Sequence, residues 1–478
     1  MNILYAAAEA VPFAKSGGLG DVAGALPIAL KNQGADVRVV IPFYQDISRT
    51  LKSQAVRLKE VWVPLSWRQQ YCGVYQAEAN GIIYYLLDNK YYFGRKGYYG
   101  YGDDAERFAF FSKAILEMLQ YIDFQPDVIN CNDWQTGLVP YFLNKFYRNI
   151  NDTYKNLQTV YTIHNIQYQG VFAPDIVEYV LGVEWSEYSN GYLQFDNCVN
   201  YMKAGIEAAN WVTTVSPTYA TEIQNPYYGH RLDHMLRMEK AKLSGIINGI
   251  DIEKNNPAAD PALFAPYNED DLSGKAVNKK ELQEALGLEQ REDVPLLVIV
   301  SRLADHKGLD LVEAVLGDIL SDDVQLAVLG IGEKRYEDMF ANAAAAHPGK
   351  VAAKLLFDGQ LAQQMYAGAD ILLMPSQSEP CGLAQMIAMR YGTVPLVRET
   401  GGLKDTVKPY VAPDGDGTGF TFANYNAHDM LHVIRQAEEL FKNKEEWSKV
   451  IANGMAKDVS WNVPAKEYMK LYSLLTGK

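Results

Sequence analysis

Cysteine is scarce and scattered. Only Cys72, Cys131, Cys198 and Cys381 occur in 478 residues, with no Cys-x-x-Cys pair. That spacing argues against a zinc site and a disulfide framework, and it suits a reducing compartment. Long apolar runs are missing as well. None approaches the roughly 18 apolar residues that a membrane-crossing helix needs. Positive charge is in short supply: 44 Lys and Arg face 58 Asp and Glu, for a formal charge of -14, and no basic run occurs. General nucleic-acid binding is therefore disfavoured. The start, MNILYAAAEAVPFAKSGG, lacks a basic region before its short apolar stretch. It reads as a buried strand rather than a signal peptide, so a soluble, cytoplasmic protein is expected. No repeat of 20–50 residues stands out, which disfavours a solenoid.

What is present is enough apolar residue for a sizeable core, at 48% hydrophobic and 21% charged. The length exceeds what one core usually serves, so two domains are expected. Short apolar runs bounded by turn residues recur in both halves. In the first they fall at 3–7, 37–41, 82–87, 128–131, 159–163 and 212–215; in the second, at 296–300, 326–329, 371–374 and 394–397. Runs this short and uniformly apolar suit parallel strands covered on both faces. Helical spacing between them, as in 106–119 and 383–390, implies βαβ units in two doubly wound halves. An Asn-, Pro- and Asp-rich stretch at 251–278 separates the halves, and the boundary is placed just before it, at 242–244.

Six polar segments follow the predicted strands at their carboxyl ends, where open α/β sheets bind ligands. Lys15-Ser16-Gly17-Gly18-Leu19-Gly20-Asp21 precedes a helical pattern, so its glycines let backbone amides approach a phosphate and Lys15 adds a full charge. Its spacing matches neither GxGxxG nor GxxxxGK[ST]. A tight structural turn is the plainer reading of that loop alone. Asn132-Asp133-Trp134-Gln135 and His164-Asn165 end two further strands of the first half. In the second half, Arg302 and Lys307 come from one strand-to-helix loop and together suit a diphosphate. Glu379 lies in Ser378-Glu379-Pro380-Cys381-Gly382-Leu383 before a helix start, where a simple charge–dipole contact is an alternative role. Thr400-Gly401-Gly402 again suggests amides facing an anion. Such a distribution predicts a cleft between two Rossmann-like domains. A tyrosine- and glycine-rich stretch, 91–107, reads as a loop; its aromatic faces suit sugar rings or pack the loop onto its own domain.

The blocks KSGGLGDVAGALP, NDWQTGLVP, YTIHNIQYQG, VSRLADHKGLDL and PSQSEPCGLAQMIAMRYGTVPLVRETGGLKDTV resemble those of bacterial glycogen synthases and plant starch synthases. The resemblance runs from Met1 to the closing WNVPAKEYMKLYSLL. It implies two facing Rossmann-like domains (the glycosyltransferase-B fold) with a cleft, spanning 1–243 and 244–457. Residues 458–478 would form a helix returning to the first domain. It also implies glucose transfer from ADP-glucose to the non-reducing end of an α-1,4-glucan with retention, without metal or cofactor.

Carried over by position, the resemblance gives Lys15, Gly17 and Gly18 the donor diphosphate and sugar. His164 would face the transferred glucose, and Arg302 and Lys307 would hold the leaving diphosphate. Glu379 with the Cys381, Gly382 and Leu383 backbone would take glucose hydroxyls, and Thr400, Gly401 and Gly402 would lie near the phosphates. Tyr366 would meet the adenine. Asp133, Trp134, Asn165 and Asn248 complete the substrate-binding set. Two departures stand out. The family usually has His-Asp-Trp-His where this chain has Asn132-Asp133-Trp134-Gln135. The tryptophan that usually precedes Asn-Pro-Ala is also absent before Asn256-Pro257-Ala258.

The other readings are a different retaining nucleotide-sugar transferase and a catalytically silent glucan-binding protein. The joint presence of Lys15, His164, Arg302, Lys307 and Glu379 speaks against silence. A hydride-transferring enzyme is weaker still, for want of the glycine fingerprint with its ribose-binding acid.

Overall fold

The computed structural model describes residues 1–413 and 415–478. They divide into two compact units. The first comprises 1–215, 220–246 and 461–478, and the second comprises 216–219 and 247–460.

The first unit is built on a nine-stranded sheet. From one edge its order is Leu243–Gly245, Trp211–Thr214, Gln158–Ile163, Val128–Asn132, Asn2–Ala6, Asp36–Pro42, Ile82–Asp88, Arg68–Ala79 and Val56–Leu65. The chain starts in the middle at Asn2–Ala6, winds outward through Asp36–Pro42, then returns to the other side of its first strand at Val128–Asn132. The strand order therefore reverses between Asn2–Ala6 and Val128–Asn132. The loops leaving their carboxyl ends, which carry Lys15 and Asp133, flank that crevice. The central strands are mostly apolar and almost wholly buried, as parallel strands covered by helices must be.

One expectation fails at the sheet's far edge. Val56–Leu65 and Arg68–Ala79 form an antiparallel hairpin that also pairs antiparallel with Ile82–Asp88. The outer strand is half open to solvent, with Trp62 exposed, so its sequence mixes charge with apolar residues and shows no apolar run. The final helix, Asn462–Thr476, belongs to this unit. Its Tyr472 hydroxyl donates to Asn130 Oδ1 at 2.8 Å, inside the core.

The second unit repeats the plan with six parallel strands, ordered Val351–Lys354, Gln325–Leu329, Leu296–Val300, Ile371–Met374, Val394–Arg398 and Phe420–Phe422. Here the order reverses between Leu296–Val300 and Ile371–Met374. The loop 301–308 and the loop 375–383 leave those two strands side by side. Among the described residues, no helix is long and apolar enough to cross a membrane, and no group of three or more His, Cys, Asp or Glu could hold a metal ion.

Candidate functional site

In the second unit, the two switch-point loops close around a cavity of about 170 Å³ lined by Arg302, Lys307, Ser376, Glu379, Gly382 and Leu383, among others. Lys307 ends a single turn, Asp305–Lys307, and its ammonium lies 2.6 Å from Glu379 Oε2. The same oxygen accepts the Ser376 hydroxyl at 3.1 Å. Gly308 makes this approach possible. Its φ is +72°, and a Cβ there would stand 2.0 Å from the Pro375 carbonyl. Arg398, 5% exposed, braces the opposite loop by donating from Nε to the Ser376 carbonyl at 2.8 Å and from Nη2 to the Gln377 carbonyl at 2.6 Å. Sequence reasoning missed both Ser376 and Arg398, although they fall inside the PSQSEP and PLVRETGG blocks.

Arg302 lines the same cavity, is exposed, and forms no ion pair among the described residues. Two cations thus face one carboxylate, and the local balance is positive. Asn248 adds a 5%-exposed amide whose Oδ1 has no hydrogen-bond partner. Its backbone N–H reaches Cys381, whose thiol burial pushes up to about 12, so that thiol stays neutral.

Two expected groups behave differently. Gly401 and Gly402 are needed for packing: a Cβ on them would lie 2.0 Å from the Glu379 carbonyl and 2.1 Å from the Cys381 carbonyl. The Gly402 N–H already donates to the Glu379 and Pro380 carbonyls at 3.1 Å, and Thr400 is fully buried. The glycine pair therefore seats the helix Gly401–Thr406 on the Glu379 loop, and the Gly402 amide is not turned to an anion. Tyr366 sits with its ring in the unit's hydrophobic core, 7% exposed, and does not line the Lys307–Glu379 cavity. An adenine would find little of it to stack on.

In the first unit, Asn132, Asp133 and His164 form one construction. Asn132 Nδ2 donates to the Ala6 and Asn130 carbonyls at 2.9 and 3.2 Å, which fixes the amide's orientation. Its Oδ1 then accepts from Tyr5 at 2.9 Å and from His164 Nε2 at 2.8 Å. The His164 proton is thereby held on Nε2, leaving Nδ1 as an acceptor. Desolvation lowers this imidazole to about 4, so it is neutral near pH 7. Asn132 is thus the tautomer-setting partner.

Asp133 has a φ of +55°, an uncommon conformation that turns its carboxylate back to accept the His164 N–H at 2.8 Å. Desolvation pushes this carboxyl up to about 7 against its hydrogen bonds from the His164 and Asn165 backbones, and the Glu9 charge adds to the rise. Between the ordinary carboxyl value of about 4 and 7, the folded chain keeps a proton that the unfolded chain has lost. Stability from this group therefore falls as pH rises through that window, by at most about 1.4 kcal/mol per pH unit and less where water reaches the carboxyl. Asp133→Asn should flatten this part of the stability curve. Urea denaturation of both proteins at about pH 5 and about pH 7.5 checks it; parallel losses in the two would contradict the assignment.

Trp134 packs edge-on against Phe108 and Phe172, with ring centres 4.9 and 5.6 Å apart. With Tyr101, Tyr168, Phe172 and His230 it lines an open groove of about 460 Å³. Most tyrosines of the 91–107 stretch pack onto their own unit: Tyr92 is buried, and Tyr99 donates to Glu9 at 2.9 Å. Tyr101 is the one that reaches the groove. Gln135 is buried with its Oε1 lacking a partner, and Asn165 Oδ1 closes a turn by accepting the Gln167 N–H at 2.9 Å.

Gly17 and Gly18 are exposed and open the helix Gly18–Asn32. Neither has a positive φ, and a Cβ on either would meet nothing within 4 Å. The fold does not require glycine at either position. Lys15 is exposed and pairs with Asp21 at 2.7 Å.

Residues 2–238 match the family model described as starch synthase catalytic domain, and residues 280–453 match glycosyl transferases group 1. The chain is 50% identical over 475 residues to a glycogen synthase of Desulforamulus reducens, covering 99% of each chain. The catalytic domain of starch synthase IV from Arabidopsis thaliana, solved bound to ADP and acarbose, is 31% identical. It superposes with a TM-score of 0.90 over 100% of this chain and 99% of that one. A sucrose-phosphate synthase from Thermosynechococcus elongatus, 18% identical with a TM-score of 0.62 over 100% of this chain and 99% of that one, shares the fold.

Proposed function

The chain belongs to the glycogen and starch synthase family of glycosyltransferases, and from that membership we propose that it lengthens α-1,4-glucans with glucose from ADP-glucose, retaining the anomeric configuration. The observation that carries this reading is the Lys307–Glu379 pair beside an unpartnered Arg302 at the second unit's switch point. As the glycosidic C–O bond breaks, negative charge grows on the departing diphosphate while the sugar becomes oxocarbenium-like. Fixed cations therefore act most strongly in the transition state, which is where binding raises the rate. Arg302 offers a two-pronged fork and Lys307 a point charge. Glu379, held in place by Lys307 and Ser376, accepts a glucose hydroxyl.

The first unit supplies Lys15 and the open Gly17–Gly18 loop for the diphosphate and sugar. Neutral His164 offers Nδ1 to a glucose hydroxyl. The aromatic groove at Trp134 and Tyr101 takes glucan rings, whose apolar faces stack on aromatic edges and planes. Retaining hydrolases place two carboxylates about 5–5.5 Å apart and use one as nucleophile. Glu379 is instead engaged with a cation and a hydroxyl. Attack by the acceptor hydroxyl on the face the leaving group vacates, with the departing phosphate taking its proton, is the route we favour.

The donor is tested by supplying ADP-[14C]glucose and UDP-[14C]glucose in parallel to the same glucan primer. Faster incorporation from ADP-glucose is expected, and preference for UDP-glucose would overturn that part of the reading. Gly17→Ala separates ligand space from fold: its melting temperature should be unchanged, because no atom crowds the new methyl. The KM for ADP-glucose should rise about tenfold or more, since closing a gap of one methyl displaces the ligand. An unchanged KM would place the donor elsewhere.

A further inference from the structure

Glu9 is a buried carboxylate, 4% exposed, that no step above uses. It forms no ion pair among the described residues; the nearby Lys15 is engaged with Asp21. Instead it accepts from four donors. Oε1 takes the Ser16 hydroxyl and the Tyr99 hydroxyl, both at 2.9 Å. Oε2 takes the Ser16 N–H and, at 3.3 Å, the Gly17 N–H. An ionised carboxylate is acceptor-only, with about four lone-pair positions, and here all its partners are donors.

Those donors come from two separate segments. Ser16 and Gly17 belong to the Lys15–Gly18 loop. Tyr99 belongs to the tyrosine-rich stretch, and its ring lies 6.0 Å from Phe108, which in turn packs on Trp134. Tyr101, two residues on, lines the groove with Trp134. One side chain thus ties the phosphate-side loop to the wall of the aromatic groove.

We propose that Glu9 is a positioning residue that sets the Lys15–Gly18 loop and the aromatic groove together, so that one carboxylate governs both donor and glucan affinity. This rests on the reading of that loop as donor-binding and of that groove as glucan-binding. Removing Glu9 leaves the Ser16 and Gly17 amides and the Tyr99 hydroxyl without their acceptor, and both segments lose their common anchor.

The two arms are separable. Glutamine can keep its oxygen toward the Ser16 and Gly17 amides and turn its NH2 toward the hydroxyls, which can reverse and accept. Glu9→Gln should therefore hold the loop through its oxygen, while the Tyr99 hydroxyl exchanges a charge-assisted bond to a carboxylate for a weaker one from an amide, so the Tyr99 arm is the one loosened. Steady-state kinetics on the full chain, with melting temperatures, test this. Glu9→Ala should raise the KM for ADP-glucose and for a maltooligosaccharide primer, each about tenfold. Glu9→Gln and Tyr99→Phe should raise the primer KM and leave the donor KM within about twofold. In a Lys15→Ala background, Glu9→Ala should add little to the donor defect and still raise the primer KM.

Loss of kcat or stability in Glu9→Ala with both KM values unchanged would mean a purely structural side chain and would overturn the proposal. So would a primer KM unmoved in both Glu9→Gln and Tyr99→Phe, which decides the matter even if Glu9→Ala fails to fold. A donor KM unaffected by Lys15→Ala itself would instead sink the donor reading of the loop. A donor KM raised by Lys15→Ala but not by Glu9→Ala would sink only the role given to Glu9.

Discussion

Lys307→Ala is expected to lower kcat by roughly 10²–10³, about 2.7–4 kcal/mol of transition-state stabilisation, with glucan binding little changed. The cation sits 2.6 Å from Glu379 on a loop whose approach depends on Gly308. The variant should also melt lower, because Glu379 is left 8% exposed without its counter-charge, a loss of about 1–3 kcal/mol. Arg302→Ala separates the two effects. Arg302 is exposed and lacks an ion-pair partner among the described residues, so its loss should cost a similar factor in turnover at unchanged stability. The checks are kcat at saturating ADP-glucose and a thermal melt of each variant. Near-normal turnover in either would remove the leaving-group role.

Glu379→Gln should be as damaging, again roughly 10²–10³ in kcat. The amide keeps the shape but cannot hold Lys307 by charge, and it offers the sugar a weaker acceptor. The same residue decides between the two routes to retention. Incubation with a slow fluorinated donor followed by mass spectrometry of the intact chain should show no glycosyl adduct on Glu379. An adduct would replace same-face attack by double displacement.

Much of the fold could be read from the chain because its central strands are short, apolar and bounded by turns. Ile371–Met374 and Leu296–Val300 stand where the apolar runs put them. The edge hairpin escaped because its outer strand is solvated and carries Arg57, Lys59 and Glu60 among apolar residues. Its own turn gives no glycine signal, since Ser66 takes the positive φ. The next turn carries a glycine signal that sequence reasoning did not use. Asn80-Gly81, both with positive φ, joins Arg68–Ala79 to Ile82–Asp88 as a tight hairpin.

At the site, charge and position after an apolar run singled out Lys307 and Glu379 as candidates, and in the structure the strands that precede them flank a reversal of order. Glu9, Ser376, Arg398 and Asn132 were not legible. Their roles depend on what their side chains meet across long stretches of chain, and nothing in local spacing encodes that. The two glycine pairs could not be told apart by sequence. Gly401 and Gly402 look like Gly17 and Gly18 in sequence, yet the first pair is packed against backbone and the second faces open space.

The central claim is retaining glucosyl transfer from ADP-glucose to the non-reducing end of an α-1,4-glucan. Its most direct measurement is the fate of label from ADP-[14C]glucose on a short α-1,4 primer, with the product digested by an exo-acting enzyme that releases maltose only from α-1,4-linked non-reducing ends. The account predicts that the label enters the polymer and leaves it entirely as maltose. Label recovered as free glucose, or held in a product that resists this digestion, would contradict it.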